Sequence, residues 1–549
     1  MKKKGTRIAI TVILLILVLG IYYYFALPAI NIHAHGFWGA VLFLIALVTV
    51  IYAVRTFRYD ISKNGLQPSV LGKMKKSKGI MAGTAAFVVV LVIFIVGSFL
   101  SSPIINASNY SQLLTVETGN FATDIEEADF NEIPILDKGS AELLGDRKMG
   151  SMVEMVSQFE VESDYTQINY QGKPVRVSPL RYASFIKWLT NRSEGIPAYM
   201  MIDMATQDVE VVKLPEGQGI KYSKSEYLNR YIYRHLRFKY PTAIFDDEIF
   251  FEVKDDGVPY WVVPVKKFNI GLFGGQTVGR VILCNAITGE CTDYDVSEVP
   301  TWVDKVYSAE LLTELFDYYG VLQNGYFNSI LGQKDCLQAT NGYNYIAQDD
   351  DVWVYTGVTS LGSDQSNVGF VLMNQRTMET NYYVVEGAIE DSAMSSAEGQ
   401  VQDLGYQSTF PLLLNISGQP TYFMALKDGA GLVKKYAMVN VQKYQLVAIG
   451  DTVDECQEVY MNLMDANNIL DAGEDADLKE LTGSINTIAP VVIEGDTHYY
   501  LSLMQSEKIF DLDLTNDALI PIVTYQEGDQ ITLIYIEEDA TLNEVTEIK

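Results

Sequence analysis

Phe250-Phe251-Glu252-Val253, then Gly257-Val258-Pro259-Tyr260-Trp261-Val262, then Arg280 to Ala286, a Thr288-Gly289 turn, and Cys291 to Val296 form a run of short aromatic and β-branched stretches parted by turn residues. Such a run reads as about four antiparallel strands. Ahead of it, Ser223 and Glu226 have the spacing of a capping box, and Tyr227, Leu228, Tyr231, Ile232, His235 and Leu236 fall on one helical stripe. The expected unit is a helix followed by an antiparallel sheet. The same order returns where Ser395 and Glu398 cap a helix carrying Ala397, Val401 and Leu404. Phe410 to Ile416, Gly418-Gln419-Pro420-Thr421-Tyr422-Phe423, Tyr436 to Val441 and Leu446 to Ile449 follow it. Pro259 and Pro420 each open a strand, where a missing N–H costs no ladder bond. Weaker copies lie at Ile196-Pro197-Ala198-Tyr199 and at Val352 to Tyr355 with Val368 to Val385. Units in series predict an elongated array in which each buries its neighbour's sheet face.

Downstream, Thr452 and Glu455 cap a helix with Cys456, Val459, Tyr460, Leu463 and Met464 on one stripe. Then come five short strands, Val491 to Glu494, His498 to Leu503, Ile509 to Leu514, Leu519 to Val523 and Ile531 to Glu537. Five strands with Glu494-Gly495-Asp496 and Glu527-Gly528-Asp529 turns fit a small closed barrel, OB-like or SH3-like.

Upstream, Ile8 to Ala26, Phe37 to Val54 and Ile80 to Leu100 are uncharged apolar stretches of the length a membrane-crossing helix needs. Tyr22, Tyr23, Tyr24 and Trp38 fit aromatic belts at their ends. Lys and Arg crowd the amino terminus and the loop between the second and third stretches, while the first loop has neither. The positive flanks predict a cytoplasmic amino terminus, with residues 101–549 extracytoplasmic. Residues 1–80 carry +10 and the remainder −39 of the net −29. A cleaved signal peptide is the rival reading of the first stretch and leaves the body outside as well. The whole reads as an α+β protein of five regions. These are a three-span anchor (1–100), an acidic linker or stalk (101–150), first (151–320) and second (321–480) helix-plus-sheet modules, and a small barrel (481–549).

A helix on a small antiparallel sheet, with hairpins such as Asn285-Ala286-Ile287-Thr288-Gly289-Glu290, resembles the PepSY and PepSY-like modules of bacterial cell-envelope proteins. The resemblance covers residues 150–465. The chain as a whole is similar to membrane-anchored extracytoplasmic proteins of Gram-positive bacteria. The PepSY-like resemblance implies regulation or inhibition of an envelope peptidase.

The chemistry is restrained. The acidic body excludes nucleic acid as main partner, since phosphate binding needs clustered cations. The outer part has only His235 and His498, too few for a His-rich metal centre or a choice of Ser-His-Asp relays. His235 lies on an apolar stripe and reads as a core histidine. His33 and His35 supply two metal donors without a third. Gly271-Leu272-Phe273-Gly274-Gly275 lacks the Lys-Ser/Thr of a phosphate loop and reads as a connection. Asp349-Asp350-Asp351 reads as a charged hairpin turn, and Asp465 to Asp477 fails the calcium-loop spacing. No catalytic residue, cofactor or metal is therefore assigned.

Two candidate sites remain. Arg230, Arg234 and Arg237 with Lys239 form a basic stripe against the local charge, suited to an anionic headgroup, wall polymer or acidic partner, or to internal pairing. Cys284 and Cys291 flank a hairpin turn; with a four-residue loop they face each other and could bridge, with three they point apart. The expectation is a non-enzymatic scaffold or binding protein of the cell envelope, integral to the membrane, with an envelope protein or wall polymer as partner. The alternatives are a PepSY-like peptidase regulator and a carboxylate-dependent wall enzyme, which needs no histidine.

Overall fold

The structure, a computed structural model, describes residues 2–64, 67–128, 130, 133–348, 350–362, 366–467, 469, 479–493, 496–504, 506, 508–514, 517–535 and 542–549. It is a mixed α+β fold of several antiparallel sheets behind an apolar amino-terminal region. Two helices there, His35–Arg58 and Lys78–Leu100, are long and apolar enough to cross a membrane, and almost none of their side chains is buried by protein. They pack on each other where small residues allow it: Gly83 lies against Thr49 and Gly79 against Tyr52. A further helix, Lys2–Ala26, ends in the apolar stretch Leu15–Ala26.

Chain contacts divide the protein into two units, Met1–Tyr460 and Met461–Lys549. In the first, one motif occurs four times among the described residues, a helix followed by a four-strand antiparallel meander. The first copy is Lys138–Gly150 with Thr166–Tyr170, Lys173–Tyr182, Ala198–Asp203 and Val209–Lys213. The second is Ile232–Lys239 with Phe250–Val253, Pro259–Ile270, Gly274–Asn285 and Cys291–Asp295. The third is Ala309–Leu322 with Asn344–Gln348, Asp351–Ser360, Gly369–Asn374 and Thr380–Tyr383. The fourth is Glu390–Gln400 with Leu412–Ile416, Gln419–Lys427, Val433–Asn440 and Val447–Gly450.

Two turns recur in these sheets. The first hairpin of each turns on a residue of positive φ, namely Gly172, Gly257, Asp350 and Gly418. The connection of the last two strands opens on an Asp or Asn whose Oδ1 accepts two backbone N–H groups ahead of it. Asp203 takes those of Ala205 and Thr206, Asn285 those of Ile287 and Thr288, Asn374 those of Arg376 and Thr377, and Asn440 those of Gln442 and Lys443.

Alternation along the strands welds the sheets together. Trp261 and Val263 face a core shared with the first sheet's Val177 and Met200, whereas Val262 faces one shared with Val354 and Val371 of the third. Trp353 and Tyr355 then meet Tyr422 and Val439 of the fourth. Adjacent sheets thus bury in each other the faces that a strand's period of two makes apolar.

Several expectations need correction. The array is curled rather than elongated, because residues of the first and the fourth sheet line one cleft. Residues 101–150, expected as a stalk, are a strap along the body. Leu114, Phe121, Ile125 and Leu136 are buried in three successive cores, and Glu117–Gly119 adds a parallel strand beside Thr380–Tyr383. Glu117, Glu126 and Glu127 of this segment are exposed, whereas Asp137 caps the helix Lys138–Gly150. The helix expected from Ser223 starts at Ile232, because the Glu226 carboxylate is occupied by Tyr182 Oη (2.9 Å) and Trp188 Nε1 (2.7 Å). The helix expected from Ser395 starts at Glu390, and Glu398 instead accepts from Ser408. The helix capped at Thr452 is as read, spanning Val453–Ala466 with Cys456 and Tyr460 fully buried.

In the second unit, Lys479–Ile493, Asp496–Leu503, Ile509–Asp513, Leu542–Ile548 and Gln530–Tyr535 close, in that spatial order, into a barrel around Leu501, Phe510, Leu512 and Leu533. Leu519 to Val523 is not a strand but part of the 3₁₀ helix Asp517–Thr524, in which Pro521 would have denied a ladder its N–H. The missing strand is Leu542–Ile548. Asp349, most of Asp465 to Asp477, the Glu494-Gly495 turn and the end of the expected last strand lie outside the described residues.

Candidate functional site

Within the basic stripe, Arg234 and Arg237 are buried, Arg230 is half-buried and Lys239 is exposed. Arg234 Nε donates to Tyr24 O at 3.0 Å, with its guanidinium 4.1 Å over the Tyr24 ring, and Arg237 Nε donates to Leu27 O at 2.9 Å. Tyr24 lies in the last turn of helix Lys2–Ala26 and Leu27 directly follows it, where the last C=O groups lack helical partners and carry the negative end of the dipole. Burial pushes the Arg237 guanidinium below its ordinary range. Arg230 donates to Arg192 O, and Lys239 to Gly289 O at 2.9 Å. The stripe is therefore paired internally, but with carbonyls and rings in place of the acidic side chains expected.

The Gly271-to-Gly275 run is the tip of a long hairpin, and it meets the ends of the two apolar helices. His33 Nδ1 donates to Leu272 O at 2.8 Å, the His35 ring stacks on Phe273 at 4.6 Å, and Ser101 Oγ accepts from Leu272 N at 2.9 Å. The two histidines are thus packed as spacers between the apolar helices and the hairpin tip.

Cys284 and Cys291 are direct cross-strand partners, with Sγ atoms 2.9 Å apart. The turn is the four-residue alternative, since Asn285 N donates to Glu290 O. Both are free thiols. The hydrogen bond between the two thiols, then His235 and Lys239, draws Cys291 below the ordinary thiol range, while the same bond and burial push Cys284 up. His235 donates from Nε2 to Gly289 O (2.7 Å) and lies over Tyr222. Its ring and the two sulfurs form a three-donor cluster within 4.8 Å. That is one donor short of a closed tetrahedral zinc site. His498, in the other unit, pairs with Asp511 (2.9 Å).

One large cleft was not legible in the sequence. About 960 Å³ in volume, it lies where strands of all four repeats converge. Two helices point their amino termini at it, Lys138–Gly150 capped by Asp137 and Ala309–Leu322 capped by Ser308. Asp137 pairs with Lys427 (2.5 Å) and Asp164 with Lys224 (2.6 Å). Burial opposes ionisation of both carboxyls, but these ammonium groups outweigh it and hold them below the usual range. Glu248 is the opposite case: burial, then the nearby carboxylate of Glu310, raises it. Comparison with protein-family models and with curated proteins gave no match for this chain. The functional reading therefore rests on the geometry alone.

Beneath the cleft, Glu252 and Asp304 are buried together. Glu252 accepts the backbone N–H groups of Asp304 (3.0 Å) and Lys305 (2.9 Å), and Asp304 accepts that of Asn169 (2.8 Å). Burial raises both carboxyls, and the charge of Glu252 raises Asp304 further.

Proposed function

We propose that this is a membrane-anchored extracytoplasmic binding protein of the bacterial cell envelope, non-enzymatic, with three spans and a body that presents one large cleft. The observation that carries the reading is that Tyr24, His35 and Ser101, at the ends of the three amino-terminal helices, are all held by the body. Three such ends on one side fit spans that run out, back and out, with the basic flanks on the far side. The recurrence of the Asn285-type hairpin in four meanders supports the PepSY-like reading of the modules, and with it a peptidase regulator as one form of binding protein. The barrel's spatial order, with its third and fifth strands parallel and a helix between the third and fourth, favours the OB-like over the SH3-like alternative.

A second reading, a carboxylate-dependent wall enzyme, is favoured by one observation: Glu248 is raised and Asp164 lowered within the same cleft, the separation that acid and base roles require. Protease treatment of intact cells tests the leading reading. A carboxy-terminal tag is expected to be lost while an amino-terminal tag survives; a protected carboxy-terminal tag overturns it. Turnover of wall fragments by the purified protein, abolished in Glu248→Gln, would replace it with the second.

A further inference from the structure

Arg176 and Lys305 are the two buried cations of the cleft, 5% and 6% exposed. Arg176 Nε donates to Leu136 O at 3.0 Å, and its two terminal amino groups have no partner among the described residues. The Lys305 ammonium lies 4.2 Å over the Tyr345 ring and 5.6 Å from that of Phe250, with no carboxylate oxygen within 4.0 Å among the described residues. Every other ammonium deep in the cleft is consumed, Lys427 by Asp137 and Lys224 by Asp164. A buried cation with no carboxylate in contact is costly, and desolvation lowers Arg176, although Asp137 acts on it from a distance and Glu248 and Glu252 face Lys305 in the same way. On the same wall Gln375 is fully buried, donating from Nε2 to Tyr307 O, with Oε1 unsatisfied. The helix amino termini at Lys138 and Ala309 add positive potential from two further directions.

We infer that the cleft binds a short zwitterionic peptide, its carboxylate seated on Arg176 and Lys305, a backbone N–H on Gln375 Oε1, and its ammonium group towards Glu248 and Glu310. A polyanion suits the site less, because six carboxylates, from Asp137 to Asp428, share the lining with the cations. The volume of about 960 Å³ takes a peptide of a few residues, near the top of the usual range for ligand pockets. The inference rests on the binding-protein reading and names the ligand class for that cleft.

The test is calorimetric titration of the full-length protein in detergent with four probes, namely tri-alanine, its carboxy-terminal amide, its N-acetyl form and inorganic phosphate. Tri-alanine is expected to bind, the amide to lose at least about tenfold in affinity, and the acetylated form and phosphate to bind more weakly than tri-alanine. Arg176→Gln and Lys305→Gln are expected to abolish binding. Arg176→Lys and Lys305→Arg, which keep the charge and spare the fold, are expected to weaken it, and surface Lys435→Gln to leave it unchanged. Equal binding of the amide, tighter binding of phosphate, unaltered binding in the Lys305 variants, or no binding by folded wild-type protein would overturn the inference. Cell-surface exposure of the body is read separately by protease treatment, so failure of one leaves the other standing.

Discussion

Arg234 grips Tyr24 twice, through a 3.0 Å bond from Nε to the main-chain oxygen and through a guanidinium 4.1 Å above the ring. The two residues are 210 apart in the chain, so the contact is a clasp between the body and the end of the first helix. Arg237, one turn on, repeats it at Leu27 O. Cationic groups at helix carboxy termini contribute about 0.3–2 kcal/mol each.

Arg234→Gln with Arg237→Gln should therefore loosen the clasp without unfolding the body. Amide hydrogen exchange in Leu27 to Ala34 is expected to quicken by about tenfold, the equivalent of 1.4 kcal/mol, while exchange in Val262 and Val354 stays slow. Unchanged exchange in that loop would show that the clasp bears no load.

The four Asp/Asn turns differ in what else they hold, which ranks their substitutions. Asn285→Ala removes an acceptor for two backbone N–H groups in a solvent-facing turn and should cost about 1 kcal/mol. Asn374→Ala loses the same two bonds and also leaves Asp351 Oδ2 without the Nδ2 donor at 2.9 Å, so a cost of about 2 kcal/mol is expected. Urea denaturation of both variants checks the order, and equal costs would remove the role assigned to Asp351.

Glu252 and Asp304 make the stability of the body depend on pH. Burial pushes Glu252 up to about 7 and Asp304 well above its ordinary range, so the folded state holds protons that the unfolded chain releases. Their contribution is fully present below the unfolded carboxyl range near 4 and is lost as pH rises through the folded values. Melting temperature should therefore fall between pH 5 and pH 8 more steeply in the wild type than in Asp304→Asn. Asparagine keeps the acceptor for Asn169 N–H and abolishes one buried charge. Parallel pH profiles of the two proteins would refute the assignment.

How much of this was readable in the chain depends on how local each signal is. Pro259 and Pro420 marked their strands correctly, because a Gly of positive φ two residues earlier and a Pro without N–H are local facts. Gly172-Lys173-Pro174 has the same form and opens the corresponding strand of the first repeat, a closer match to Gly257-Val258-Pro259 than Ile196-Pro197 is. The Asp/Asn-x-x-Thr spacing at Asp203, Asn285 and Asn374 was equally available, and would have counted the repeats. Capping misled at Ser223 because spacing cannot reveal that Glu226 is needed by Tyr182 and Trp188 across the core. The cleft was beyond reach, since Arg176, Lys305 and Lys427 meet only through the curl of the whole array.

The cysteine pair gives the last prediction. Asn285 N donates to Glu290 O, so Cys284 and Cys291, one step further out, fall between ladder bonds, where opposite Cα atoms approach to about 4.5 Å, within disulfide range. With the sulfurs at 2.9 Å, an added thiol oxidant such as diamide should take two electrons, with loss of the two thiol protons, and leave one bridge that mass spectrometry maps to this hairpin. In the reduced protein Cys291 should react first with iodoacetamide at pH 6, because its lowered pKa keeps it thiolate where ordinary thiols are protonated. Cys456, fully buried and pushed up to about 12, should react last. The bridge closes a short loop, so its stabilisation should stay below about 3 kcal/mol. Equal labelling of Cys291 and Cys456 in folded protein, or a bridge involving Cys336, would contradict the hairpin geometry.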